Sequence, residues 1–297
     1  KPVYFKFDCL QESGSFKDRG MAHLCQTLSD DGVTKLVSSS GGNAGLAVAT
    51  MGSRLNMDVD VIVPETTKPI VIAKLQTLGA TVTVHGENWN AADTLARHRV
   101  LDEPAAAYVS PYDDPLLWTG HSTIVDEIIQ QLDEPPGCIV ISVGGGGLLC
   151  GILEGLDKHD LTTTVIASET RGASSFGQAW AKGELVRLDS IDSIATSLGA
   201  LEVTQSALEK GAAFEAKGGK LIAIQCDDSQ AVSACDSFSS EYRTLVEPAC
   251  GAGLAVAYDN QLREVLKDVN GPIVLEVCGG SGVSIELLDS WKKQYGF

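Results

Sequence analysis

An alternation constrains this chain more than any other feature. From Thr34 onward, short β-branched runs recur as KLVSS, DVDVIVP, ATVTVH, CIVISV, TTVIAS, KLIAIQ and PIVLEV, separated by helix-length segments. Strands that alternate with helices of about 10 to 15 residues build parallel sheets covered on both faces, which makes this an α/β chain rather than an α+β or sandwich fold. The first cluster of runs lies before about residue 110 and the second after about residue 135, with a long helical stretch near residues 114 to 132 between them. This spacing predicts two domains, each a mostly parallel twisted sheet flanked by helices. A length of 297 residues agrees, at roughly 100 to 200 residues per domain.

The charge balance narrows the partners. Against 22 Lys and Arg stand 39 Asp and Glu, a net charge of −17, and such a field repels a nucleic acid backbone or an anionic membrane surface. No apolar run approaches the roughly 18 residues that would span a bilayer, and 44% apolar against 21% charged residues excludes a disordered chain. The eight cysteines are scattered without a CxxC pair or zinc-type spacing. That pattern predicts reduced thiols and a cytoplasmic protein. The sequence begins Lys1-Pro2-Val3, without Met or a signal pattern, as a chain trimmed at its amino end would.

Four glycine-bearing junctions carry the chemistry. In Ser13-Gly14-Ser15-Phe16-Lys17-Asp18-Arg19-Gly20, Ser15 and Asp18 match a capping box. Lys17 then falls at the second helical position, facing the positive end of the helix dipole, which favours its neutral amine by roughly 0.3 to 1 kcal/mol. At an unperturbed pKa near 10.4 only about one lysine in 2,500 is neutral at pH 7, so a nucleophilic lysine needs such a setting; a solvated lysine at a helix start is the other reading. Ser38 to Gly45 follows a strand and opens a helix. Its amides, with the Ser40 and Asn43 side chains, could hold a carboxylate or phenolate oxygen, or form a plain turn with an Asn cap. Gly144, Gly145, Gly146 and Gly147 carry a backbone-entropy penalty that a purely structural turn does not justify, and a phosphate cradle accounts for them better. Leu148 and Leu149 follow where a Walker motif needs Lys and Ser or Thr. A dinucleotide register through Gly145, Gly147 and Gly151, with Glu169 on the ribose, stays open. Finally, Cys278 to Gly282 ends the last run, and Pro248 suits the first position of the helix after Val246-Glu247. A lone Cys at a strand end is a small buried group or a ligand contact.

Taken in order over nearly the whole chain, SGSFKDRG, SSGGNAG, SVGGGGLLCG, VEPACGAG and VCGGSG resemble the pyridoxal-phosphate-dependent β-family. Within it the match is to the serine/threonine dehydratases, and SPYDDPLLWTGH at residues 110 to 121 belongs to the same likeness. The resemblance implies a small domain at 21–109 on the substrate-carboxylate side and a large domain of 1–20 and 110–297 that binds pyridoxal 5'-phosphate. It makes Lys17 the lysine joined covalently to the cofactor and the catalytic base, with Phe16 against the pyridine ring and Asn43 on the ring hydroxyl oxygen. Gly144 to Gly147 would hold the phosphate, and Cys278 would face the pyridine nitrogen. Ser40, Gly41, Asn43 and Ala44 would line the substrate carboxylate. A monovalent cation, potassium, is implied near Glu169 with the carbonyls of Gly144, Ala173, Leu198 and Ala200, as are a homodimer and domain closure over the ligand.

The expected reaction is β-elimination from small hydroxy amino acids, L-serine and L-threonine, to pyruvate or 2-oxobutanoate plus ammonia. Racemases of the family carry a serine hydroxyl where this chain has Gly41, which disfavours that rival. The letters SFKDRG also occur in threonine synthase, Asp18 being less usual among serine dehydratases. An NAD-binding oxidoreductase and a catalytically silent binding protein are the readings from other classes.

Overall fold

The computed structural model describes Lys1–Phe297. Its nine strands are β1 Val3–Lys6, β2 Lys35–Ser38, β3 Asp58–Val63, β4 Thr81–Val84, β5 Ala106–Val109, β6 Cys138–Ser142, β7 Thr164–Thr170, β8 Lys220–Cys226 and β9 Ile273–Glu276. Seven are the β-branched runs read from the sequence. Eleven helices intervene: α1 Lys17–Asp30, α2 Asn43–Leu55, α3 Pro69–Thr77, α4 Trp89–Arg99, α5 Pro115–Gln131, α6 Gly147–Lys158, α7 Ser175–Lys182, α8 Gln205–Ala216, α9 Asp228–Tyr242, α10 Pro248–Tyr258 and α11 Ile285–Tyr295. None is long and apolar enough to cross a membrane.

Two compact units divide the chain, one of Lys1–Leu10 with His121–Phe297 and the other of Gln11–Gly120. The larger unit holds a sheet in the order β1-β9-β6-β7-β8, the smaller one a sheet in the order β4-β3-β2-β5. Every strand pair is parallel. In the larger sheet β6 is buried along its whole length, as a central parallel strand with both faces covered must be.

The two strands absent from the sequence reading are short and lack a continuous β-branched pattern. Two of the four residues of β5 are alanines, and its register comes from β2, which pairs Val37 with Tyr108 and Ser38 with Val109. β1 docks on β9, some 270 residues downstream, pairing Val3 with Ile273. Partner and burial decide strand formation at such sites more than intrinsic preference does.

Small residues let α10 lie against the large sheet. The Gly253 N–H donates to the Ser142 hydroxyl at 3.0 Å, and the Ser168 hydroxyl donates to the Ala252 carbonyl at 2.6 Å. A side chain at Gly253 would fall 2.9 Å from the Ser142 oxygen, so the sequence PACGAGLAVA reads as a close-approach surface.

Candidate active site

Lys17 opens α1, so the helix starts one residue later than the capping box predicts. Phe16 is the residue before it and already has helical torsions (φ −54°, ψ −18°), without a side-chain cap. Ser15 is therefore one residue too early to cap the helix, and its buried hydroxyl has no hydrogen-bond partner. The Asp18 carboxylate instead accepts the Ser13 N–H at 2.8 Å, and burial pushes the Asp18 carboxyl above the ordinary range. Gly14 allows this turn, with φ +87° and its N–H donating to the Gln11 carbonyl at 2.8 Å. The Lys17 ammonium donates to the Pro111 carbonyl at 2.6 Å and stands 5.0 Å from the centre of the Phe16 ring. Pro111 follows β5, so the amine is held at the end of the small sheet by a residue 94 positions away. Nothing local in the sequence marks that acceptor.

The turn from β2 into α2 is built for close approach. Gly42, in extended geometry, precedes the helix and Asn43 is its first residue, so Asn43 is not the cap. The Gly42 N–H donates to the Ser40 hydroxyl at 3.3 Å. A side chain on Gly45 would run into the Ser40 carbonyl oxygen, whereas one on Gly41 would meet only the tips of Val63 and Thr67, at 3.2 and 3.4 Å. Ala44 is buried, and Ser40, Gly41 and Asn43 are partly or more open to solvent. The start of a 13-residue helix presents the positive end of its dipole, which favours an anion.

In the larger unit, Gly144 to Gly147 leave β6 and enter α6. Gly146 sits before the helix at φ +91°, a left-handed conformation that favours glycine. A Cβ there would lie 2.8 Å from Val203 and 3.0 Å from Ala207, and one on Gly144 would lie 3.0 Å from the Leu198 Cα. The Thr204 N–H closes the loop onto the Gly145 carbonyl at 3.0 Å. The result is a backbone cradle at a helix start, where a phosphate suits both the N–H groups and the dipole.

Cys278 lies two residues beyond β9 and is buried. Contact with the Cys250 thiol, together with burial, pushes its thiol well above the ordinary cysteine range and keeps it neutral. The loop carrying it is seated on Glu247, whose carboxylate accepts the Gly282 N–H at 3.0 Å; a side chain on Gly280 would collide with that carboxylate. Sequence reasoning passed over Glu247, although it stands directly before the helix-opening Pro248.

Glu169 is fully buried at the end of β7. Its two oxygens accept the N–H groups of Phe176 and Gly177 at 2.9 and 2.7 Å, and burial lifts its carboxyl to about 8 against the pull of those two donors. A carboxylate sealed at a helix start in this way is no ribose acceptor, which removes the main support for the dinucleotide reading. Among the carbonyl-bearing residues, Ala173 and Leu198 are buried, and the Leu198 carbonyl accepts the Ala200 N–H at 2.8 Å.

A family model described as "Pyridoxal-phosphate dependent enzyme" matches residues 1–279. The chain belongs to that family. It is 41% identical over 300 residues to the L-serine dehydratase/L-threonine deaminase of Homo sapiens, covering 99% of this chain and 90% of the human one. To the L-serine dehydratase of Saccharomyces cerevisiae (strain RM11-1a) it is 37% identical, with 95% and 89% covered. Among solved structures, a fungal L-serine ammonia-lyase from Rhizomucor miehei superposes with a TM-score of 0.90 at 34% identity, covering 99% of this chain and 93% of that one. The architecture is that of the fold type II pyridoxal-phosphate enzymes.

The residues present fit this cofactor. The glycine cradle has no room for a side chain at Gly144 or Gly146 and lies at a helix start suited to a phosphate, and a lysine amine stands at a helix start beside an aromatic ring. Gly146→Ala tests the cradle: with left-handed backbone strain of roughly 1 to 2 kcal/mol added to crowding by Val203 and Ala207, the cofactor dissociation constant rises about tenfold. Titrating apoprotein with pyridoxal phosphate reads this directly. An unchanged constant would detach the loop from phosphate binding.

Proposed function

We propose that this protein is a lyase that dehydrates and deaminates L-serine and L-threonine, yielding pyruvate or 2-oxobutanoate plus ammonia. The observation that carries the reading is the likeness, over 99% of the chain, to a protein named L-serine dehydratase/L-threonine deaminase. Pyridoxal phosphate, when bound, supplies the electron withdrawal that acidifies the Cα proton of the amino acid. Lys17 is the residue that carries the cofactor and, once its amine is free, takes the Cα proton as general base. Phe16 would pack on the pyridine ring and Asn43 would bond its hydroxyl oxygen. The amides and hydroxyl of Ser40, Gly41, Asn43 and Ala44 orient the substrate carboxylate, and Gly144, Gly145, Gly146 and Gly147 hold the phosphate. Cys278, held neutral by the Cys250 contact and burial, would face the pyridine nitrogen without supplying a proton to it, a setting that would favour elimination over racemisation. Gly41 supports the same outcome, because it offers no hydroxyl to reprotonate the opposite face.

In functional terms, residues 21–109 form the carboxylate side, and 1–20 with 110–297 form the cofactor side. Glu169, with the carbonyls of Gly144, Ala173, Leu198 and Ala200, is the proposed seat of potassium. A buried carboxyl offers a hard oxygen ligand to a weakly hydrated monovalent cation, whose charge would offset the burial that raises the Glu169 carboxyl. The reading includes a cytoplasmic homodimer, as the resemblance implies.

The test is release of 2-oxo acid from L-serine, L-threonine and their D-forms, in potassium and in lithium buffers. Turnover of the L-forms alone, faster in potassium, is the expected result. No 2-oxo acid from either L-form after loading with pyridoxal phosphate would overturn the function, and equal rates in both buffers would overturn the cation.

A further inference from the structure

Behind the Ser38–Gly45 turn, one carboxylate gathers three side chains. Asp93, on α4, accepts the Ser39 hydroxyl at 2.7 Å and the Tyr108 hydroxyl at 2.5 Å on the same oxygen, while its other oxygen accepts the Arg97 Nε at 2.8 Å. The Arg97 guanidinium also lies over the Tyr108 ring, 4.1 Å from its centre. Burial works against the Asp93 charge, yet the bonds from Tyr108, Arg97 and Ser39 hold its carboxyl below the ordinary range. Ala92 and Ala96 seat α4 on Val37 and Ile62 of the sheet, with Tyr108 and Leu95 packed alongside, so the carboxylate sits on a rigid base.

What this carboxylate joins is specific. Ser39 immediately precedes Ser40, the first residue of the turn assigned to the substrate carboxylate. Tyr108 lies on β5, three residues before Pro111, whose carbonyl receives the Lys17 amine at 2.6 Å. β2 and β5 are neighbours with Ser38 opposite Val109, so these two loops leave adjoining strands at the same end. A strut needed only for stability could tie the strands anywhere along their length. This one ties them at the residues that lead into the two functional loops.

We propose that Asp93 is a positioning residue for substrate capture: by clamping Ser39 to Tyr108, it sets the spacing between the Ser40–Asn43 turn and the Pro111 acceptor of Lys17, and so tunes recognition of the amino-acid carboxylate. The inference rests on the function proposed above. Asp93 itself touches neither substrate nor cofactor in this account. A binding turn displaced by a fraction of an ångström loses carboxylate affinity first, because hydrogen bonds from N–H groups are directional.

The test uses the enzyme loaded with pyridoxal phosphate. Glycine, which carries the carboxylate but no leaving group, is titrated against the visible cofactor band, and steady-state constants are measured with L-serine. Asp93→Ala is expected to raise both the glycine dissociation constant and the L-serine KM about tenfold, with kcat kept within about threefold, and Asp93→Asn to recover part of the loss. Tyr108→Phe removes one hydroxyl while keeping the ring under Arg97, and serves should Asp93→Ala fail to fold; it raises KM by about two- to threefold. Unchanged KM and glycine binding in a folded Asp93→Ala or Tyr108→Phe enzyme overturn the inference, as does a fall confined to kcat. Wild-type enzyme that takes up the cofactor but gives no response to glycine and no 2-oxo acid from L-serine overturns the functional reading, and this inference with it.

Discussion

Lys17→Ala lowers turnover of L-serine and L-threonine by a factor of at least about 10³ while leaving the protein folded. General-base removal alone costs about 10² to 10⁴, and the same substitution deletes the covalent tether for the cofactor. The structural cost is small. Lys17 and Pro111 are both only partly buried, so water can replace the lost donor. The visible band of lysine-bound cofactor should be missing from the variant, and its melting temperature should lie close to that of wild type. Partial recovery of rate on adding a small primary amine would identify the base function specifically. Full turnover in Lys17→Ala would remove this lysine from the mechanism.

Gly45→Ala acts through the backbone. Its Cβ would run into the Ser40 carbonyl oxygen and lie 2.9 Å from the Ser40 carbonyl carbon, and neither atom can swing away as a side-chain tip could. The Ser40–Asn43 turn must open or α2 must shift. Overpacking of this kind costs about 1 to 3 kcal/mol, or roughly 2 to 4 °C of melting temperature per kcal/mol in a chain of this size. Misplacing the turn by about 1 Å lowers kcat/KM by about 10². Gly41→Ala is the milder comparison for folding, because its Cβ meets only side-chain atoms, at 3.2 and 3.4 Å, that need give by a few tenths of an ångström, and the melting temperature should fall less than in Gly45→Ala. Equal kcat/KM for Gly45→Ala and wild type would show that the turn does not orient the substrate.

Local chemistry made much of the protein legible in advance. Seven strands stood out because β-branched runs bounded by turn residues signal extended structure without reference to any partner. The glycine junctions stood out because Gly144 to Gly147 and the pair Gly41-Gly42 have an entropy cost that only a close approach justifies. β1 and β5 were passed over: β1 carries the strand formers Val3, Tyr4 and Phe5 and pairs with β9, whereas β5 is half alanine and owes its strand to pairing with β2. The Ser15 capping box failed for a related reason: the helix starts at Lys17, and Asp18 is drawn to the Ser13 N–H instead. Within a turn of four residues, several hydrogen-bonding schemes differ by only about 1 kcal/mol, and the surroundings select one.

By itself, the amino-acid order determined the α/β class, the parallel sheets and the positions of the glycine-bearing turns, since each depends on residues within a few positions of one another, whereas the candidate lysine was singled out by motifs ordered over nearly the whole chain. Tertiary structure alone decided that the Lys17 amine rests on Pro111, that Glu169 is sealed under the start of α7 with a raised pKa, and that Asp93 ties Ser39 to Tyr108. Those features depend on burial and on partners distant in the chain. Folding sets both, because desolvation and hydrogen-bond geometry exist only once the strands and helices have packed.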